Sequence, residues 1–389
     1  MLTTDQIEIR DLARGFAEGE IAPHVEHWDA EAALPDEIIA SLAELGFLGM
    51  LVPERYGGLD LDMGSYLVVL EELARADAAT ALTVSVQNGP VAGAILNHGT
   101  EEQRARWLPQ LAAGETIGAF ALSEADAGSD AASVGTVARR DGDAWVLSGR
   151  KKWVTNGRRA GLALVFARTG EAGALGAFLV PTDTDGYTVV DRTTTMGLRA
   201  SETVTVELAD VRLPADALLG DAGRGLAVAL DALTVGRLGI AALAVGIGAA
   251  ALDHAVRYSG EREQFGRALA DFGAIQAKVA DCAARISAAR AVVREVGQRI
   301  QRVRAGGSDD ETGAEALVAR VAGAKLFATE TAMFASDEAV QIFGGYGYMR
   351  DYPVEKLMRD AKGTEIFEGT SEIMRVVIAR EVLSEARGD

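Results

Sequence analysis

With 389 residues, 49% of them hydrophobic, the chain has the length for two or three domains around a large core. A formal charge of −19 excludes long-range attraction to nucleic acid or an anionic membrane, though not an anionic ligand gripped by a few placed arginines. The single cysteine, Cys282, can form no internal disulfide and reads as a small core residue in a reducing compartment.

In chain order, Met1-Leu2-Thr3-Thr4-Asp5 shows no basic run ahead of an apolar core, so no signal peptide is predicted. No uncharged apolar run reaches the ~18 residues that cross a bilayer. The longest, Leu238 to Leu252, stops at Asp253. The expectation is a cytoplasmic protein with neither a membrane nor a nucleic acid as partner.

Residues 1–116 carry helical spacing, as in Ile38, Leu42, Leu45 and Leu48. Helices are predicted over Gly64 to Ala76 and Pro90 to His98, and another starts at a Thr100 cap with Glu101 and Glu102 in its first turn. From Ile117 to residue 222 the runs are short and rich in β-branched residues. Arg140-Asp141-Gly142-Asp143 between two of them is a hairpin signal, and the set predicts an antiparallel barrel or sandwich. Helical spacing returns over 223–389 in long segments, Gly225 to Gly260, Phe272 to Arg304 and Thr312 to Phe343, which predict an antiparallel four-helix bundle. The fold class is α+β, in the order helical, β and helical.

Several stretches carry candidate chemistry. Gly246-Ile247-Gly248-Ala249-Ala250-Ala251 matches a dinucleotide fingerprint, but it lies within a helical pattern and reads as close helix packing. The four histidines offer no metal set, so no metal is predicted. No Gly-x-Ser-x-Gly elbow is present, and Cys282 has no reactive-thiol signature. Phe120-Ala121-Leu122-Ser123-Glu124-Ala125-Asp126-Ala127-Gly128-Ser129 follows the first β run and ends in small residues whose amides suit phosphate, or make an ordinary loop. Lys151-Lys152-Trp153-Val154-Thr155 places an indole beside a hydroxyl, fit to stack on a planar ring or to sit in a core. Arg262-Glu263-Gln264-Phe265-Gly266-Arg267 and Gln341-Ile342-Phe343-Gly344-Gly345 offer arginine forks and a glycine cluster. Ile366-Phe367-Glu368-Gly369-Thr370-Ser371-Glu372 sets a lone carboxylate behind two apolar residues where a helix begins. Thr370 or Ser371 suits the N-cap and Glu372 the first turn, which leaves Glu368 without a structural task. Apolar neighbours raise a carboxyl towards neutrality, which suits a general base.

Together these stretches resemble the acyl-CoA dehydrogenase family of flavoproteins from about residue 5 to residue 383. The resemblance implies a helical domain (1–116), a β-domain (117–222) and a helical bundle (223–389), FAD as cofactor, and a homotetramer with FAD at a subunit interface. It implies that Phe120, Leu122, Ser123, Gly128 and Ser129 line the flavin, with Ser129 also near the substrate. Trp153, Val154 and Thr155 would hold the ring. Arg262, Phe265, Gln341, Gly344 and Gly345 would meet a neighbouring subunit's FAD, and Thr370, Ser371 and Glu372 would touch the ADP side of the cofactor. Glu368 matches the catalytic base, Gly369 and Arg237 substrate-contacting positions, and Gly236 an alternative base position that glycine leaves empty. The implied reaction takes the pro-R α-proton of an acyl-CoA to Glu368 and a β-hydride to the flavin, giving a trans-2-enoyl-CoA. The thioester carbonyl would bond the Glu368 N–H and a ribityl hydroxyl, and electrons would pass to an electron-transferring flavoprotein. Gly273, Phe367 and Ala125-Asp126 depart from the family pattern, and altered FAD affinity is the expected consequence. The alternatives are an oxidase or another flavin enzyme on the same scaffold, and a non-catalytic acyl-CoA-binding helical protein.

Overall fold

The computed structural model describes residues 2–170, 174–306 and 314–387. Its helical N-terminal part comprises α1 (Thr4–Phe16), α2 (Val25–Glu31), α3 (Asp36–Glu44), α4 (Met63–Ala76), α5 (Ala78–Val86), α6 (Ala94–His98) and α7 (Glu101–Ala112). Thr100 caps α7 as expected, and Gln103 closes the capping box from the other side. The helix expected from Pro90 runs on from α5 without a break. Pro90 has no N–H to give, so Gln87–Gly93 forms a π-turn and regular α6 starts at Ala94.

Eight strands follow: β1 (Gly118–Ala121), β2 (Val137–Asp141), β3 (Ala144–Val154), β4 (Leu162–Thr169), β5 (Leu175–Pro181), β6 (Tyr187–Arg192), β7 (Val204–Pro214) and β8 (Leu218–Leu219). The predicted hairpin is present, with Asp141 paired to Ala144 around Gly142-Asp143. The sheet runs β6-β7-β3-β2-β4-β5-β8, with β1 also on β4. It is not wholly antiparallel, because β1 and β2 both lie parallel to β4, one after the other along the same edge. Local alternation cannot signal this, since parallel partners are set by the crossover between strands. Leu162, Leu164 and Phe166 of β4 face the helical core, and Ala163, Val165 and Ala167 face a second core shared with Trp145 and Phe178. Burial on both faces explains why this strand reads as an unbroken apolar run.

The C-terminal part contains α8 (Gly225–Glu261), α9 (Gly273–Arg304), α10 (Ala314–Phe343), α11 (Val354–Thr364) and α12 (Ser371–Arg387). The predicted break after Ala305 and the start of the following helix fall largely outside the described residues. Helix α8 is long and apolar enough to cross a membrane, yet 89% of its apolar window is buried inside the protein. A Cβ on Gly246 would collide with the Glu71 carbonyl of α4, so the dinucleotide-like glycines serve close helix packing.

One buried charge cluster ties the three parts together. Lys356 Nζ on α11 donates to Asp77 Oδ1 (2.8 Å) and Asp360 Oδ2 (2.6 Å), while Asp77 caps α5 and Asp360 Oδ1 accepts the Leu198 N–H (2.5 Å) from the β6–β7 connection. Lys356→Met would strand two buried carboxylates. It is expected to cost about 3–5 kcal/mol, read as a lower denaturant midpoint at pH 7; an unchanged midpoint would show that the cluster does not brace the fold.

Candidate active site

Residues 365–369 join α11 to α12 and put Glu368 at φ +54° and Gly369 at φ +103°. A left-handed glutamate is held only where its surroundings over-determine it. Here two cations grip the backbone on either side. Arg237 Nε on α8 donates to the Glu368 carbonyl at 3.0 Å. Lys325 Nζ on α10 donates to the carbonyls of Gly369 (2.7 Å) and Thr364 (3.0 Å). Both side chains are buried, Lys325 at 1% exposure. Thr370 is the N-cap of α12, its Oγ1 accepting from Ile373 N–H at 3.3 Å.

This geometry sets the electrostatics of Glu368. Both cations give their hydrogen bonds to main-chain carbonyls, so they favour the carboxylate only by charge. Glu368 Oε2 is shut from solvent and, among the described residues, has no hydrogen-bond partner. Burial therefore prevails over Lys325 and Arg237 and pushes the carboxyl up to about 7. Burial likewise lowers Lys325 to about 8, with Glu368 opposing. Among the described residues the Glu368 N–H meets no protein acceptor and is free to bond an incoming carbonyl. Gly236 faces the same space: a Cβ there would strike Glu368 Oε2 and approach Pro90 Cγ at 3.0 Å. The empty position thus leaves room for the carboxyl that α12's leading loop supplies.

A second assembly lies at the β-sheet. Lys152 N–H bonds the Ser123 carbonyl (2.9 Å), and Lys151 Nζ bonds the Leu122 carbonyl (3.0 Å) and Glu124 Oε1 (2.7 Å). Glu124 also takes the Thr136 N–H and hydroxyl, at 3.0 and 2.6 Å. These bonds bring the Phe120–Ser129 loop against the Trp153 segment, as the two stretches need if they are to share one ligand. A register shift in β3 between Lys151 and Val154 turns Trp153 (φ +59°) outward, 49% exposed, while Val154 stays buried. Phe120 packs on Phe166, and Gly128 and Ser129 lie in the open.

The third set is distant. Residues Arg262, Gln264, Tyr258, Gly344, Gly345 and Tyr346 line a groove of about 590 Å³. Phe265, at the tip of the hairpin Glu263–Gln264/Arg267–Ala268, is 93% exposed, and Gln341 is exposed nearby. Arg262, the C-cap of α8, lies 25 positions after Arg237, which at the helical rise is roughly 37 Å. This groove and Glu368 therefore cannot address the same small ring within one chain. A smaller concavity is lined by Thr370, Ser371 and Glu372 together with Glu330, Lys362 and Arg375, and the Ser371 hydroxyl is buried with no partner among the described residues. Among the described residues, no group of three His, Cys, Asp or Glu side chains is placed to hold a metal ion.

Sequence reasoning missed Lys325 and the Lys151–Glu124 pair. Lys325 had a signal: it interrupts the apolar stripe of Val321, Ala324, Ala328 and Ala332, where a lysine needs a buried acceptor.

Comparison with known proteins matches the acyl-CoA dehydrogenase N-terminal domain over residues 3–115, the middle domain over 119–211 and the C-terminal domain over 223–383. The short-chain specific acyl-CoA dehydrogenase of Bos taurus mitochondria is 41% identical over 382 residues, spanning 97% of this chain and 90% of that protein. A chain in a structure described as the electron transferring flavoprotein of Acidaminococcus fermentans superposes with TM-score 0.94 at 40% identity, covering 98% of this chain and 99% of that one. An acyl-CoA dehydrogenase complexed with FAD from Bacillus anthracis superposes with TM-score 0.92 at 32% identity, covering 100% of this chain and 68% of that one.

Proposed function

The chain belongs to the acyl-CoA dehydrogenase family and is an oxidoreductase acting on CH–CH donors, and on that premise we propose that it converts an acyl-CoA thioester to the trans-2-enoyl-CoA. The observation that carries this reading is the Glu368 carboxyl, buried at Oε2 and unpartnered among the described residues, where burial pushes it up to about 7. In this reading Glu368 takes the α-proton, and its own N–H donates to the thioester oxygen as negative charge grows there. Arg237 and Lys325 hydrogen-bond the main chain and fix the loop that holds the base. The residues fit FAD: an outward indole beside Thr155, an orphaned Ser371 hydroxyl, and an open groove flanked by Arg262 and two exposed glycines. FAD, when bound, supplies the hydride acceptor for the β-carbon.

The separation of Arg262 from Glu368 supports an assembly in which Arg262, Phe265, Gln341, Gly344 and Gly345 serve a neighbouring subunit's cofactor, in a homotetramer. An electron-transferring flavoprotein is the proposed electron acceptor, a reading supported by the Acidaminococcus structure. Purified protein is expected to be yellow and to lose its flavin absorbance when titrated anaerobically with acyl-CoA. Reoxidation should then follow addition of an electron-transferring flavoprotein. A colourless protein, or a flavin that no acyl-CoA bleaches, contradicts the proposal.

A further inference from the structure

Gly236 and Gly239 stand three residues apart on one face of α8, and each abuts a different functional group. At Gly236 the neighbour is the Glu368 carboxyl. At Gly239 a Cβ would lie 2.6 Å from Ser85 Oγ on α5, 2.8 Å from Tyr66 OH on α4 and 3.2 Å from Leu70 Cδ1. All three helices therefore converge at Gly239 with no space between them. Tyr66 and Ser85 are completely buried, and the Tyr66 hydroxyl donates to Ser85 Oγ at 3.4 Å. Burial raises the Tyr66 phenol well above its ordinary range, with the nearby Glu368 charge adding to the shift, so it stays neutral.

The direction from Glu368 to this junction is inward. Leu230, before Gly236, is 47% exposed, whereas every α8 residue from Gly236 to Ala251 is buried. A thioester whose α-carbon meets Glu368 thus leaves its CoA on the solvent side and extends its tail towards Gly239. Between the two glycines α8 advances only about 4.5 Å, a span that roughly two carbons beyond the α-carbon would fill. The Cβ positions of residues three apart on a helix are about 5–6 Å from each other, which keeps the Tyr66 hydroxyl within roughly 10 Å of the base.

We propose that Tyr66 and Ser85, packed against Gly239, form the floor of the acyl pocket and restrict the protein to acyl groups of about four carbons. The inference rests on the dehydrogenase reading but adds a determinant to it: a floor built by α4 and α5, set by the girth of one tyrosine. The Tyr66 hydroxyl is the atom that meets Gly239, and the ring carries it there from α4.

The test measures anaerobic flavin reduction in the FAD-loaded enzyme with acyl-CoAs of increasing length, beside the binding of S-butyl- and S-octyl-CoA thioethers, which cannot react. Wild type is expected to lose at least about tenfold in reduction rate between butyryl- and octanoyl-CoA. Tyr66→Ala is expected to raise the octanoyl-to-butyryl ratio of kcat/KM by about 10- to 100-fold and to tighten S-octyl-CoA selectively. Tyr66→Phe keeps the ring and removes only the oxygen at Gly239, and is expected to raise that ratio by about 2- to 5-fold, less than Tyr66→Ala. Equal wild-type rates with both substrates overturn the floor while leaving the dehydrogenase reading intact. So does a Tyr66→Ala protein whose thioether preference is unchanged. Should Tyr66→Ala fail to fold, the wild-type series and Tyr66→Leu decide the question alone. A flavin that no acyl-CoA of any length reduces sinks the underlying reading instead.

Discussion

Glu368→Gln is expected to lower the rate of flavin reduction by acyl-CoA about 10⁴-fold, the upper end of what a positioned base supplies, while FAD stays bound. Glutamine keeps the shape of the side chain and loses only its capacity to accept the α-proton. The loop around it does not depend on the carboxyl, because Arg237 and Lys325 hold the carbonyls of residues 368, 369 and 364. A variant that bleaches at the wild-type rate in stopped-flow would remove Glu368 from the mechanism.

The pH dependence follows from the same burial. The base works only when ionised, so the wild-type reduction rate should rise with pH through a midpoint near 7, where the buried carboxyl titrates. Stability runs the opposite way. Between the ordinary carboxyl range and that midpoint, the folded protein retains a proton that the unfolded chain has already released. Stability contributed by the neutral acid is therefore lost as pH rises through this window. Glu368→Gln mimics the neutral acid at every pH. It is expected to exceed wild type at pH 8 by on the order of 3 kcal/mol and to match it at pH 4. Thermal melts at the two pH values measure both ends.

What the residues revealed in advance divides along physical lines. Local signals carried the elements: a Thr100 cap, an Asp141–Ala144 turn, and the shift from period 3.6 to period 2 between α7 and β1 all depend on neighbours in sequence. The isolation of Glu368 was also local, since only a residue without a capping task stood out among Phe367, Gly369 and Thr370. Long-range pairings were not legible. Nothing in β1, β2 or β4 signals that the first two lie parallel to the third, and nothing near Pro90 fixes a π-turn rather than a broken helix. The left-handed backbone at Trp153 and Glu368 was hidden as well, because each is held from outside its own segment. Trp153 follows a strand irregularity against β7, and Glu368 is held by cations 131 and 43 positions back in the chain. Lys325 looked like one more lysine on a long helix, and its acceptors become visible only when α10 lies beneath the loop.

Lys325→Met is expected to lower the reduction rate about 10²-fold and to move its pH midpoint upward by about one unit. Two charge-assisted hydrogen bonds to the Thr364 and Gly369 carbonyls disappear, each worth about 1.5–3 kcal/mol. The left-handed turn at Glu368 then loses one of its two restraints, and a base displaced by even a fraction of an ångström reacts more slowly. The midpoint shift is the readout that a merely structural lysine would not give. Glu368 is faced by Lys325 from α10, Arg237 from α8 and the neutral Tyr66 from α4. Removing the first leaves burial opposed by Arg237 alone, so the carboxyl should release its proton only at higher pH. Methionine fills the channel of the lysine stem without a charge, so FAD content and the melting profile should report a folded protein. A Lys325→Met enzyme with slower turnover but an unmoved midpoint would assign Lys325 to packing alone, and one with both unchanged would show that Arg237 suffices to hold the base.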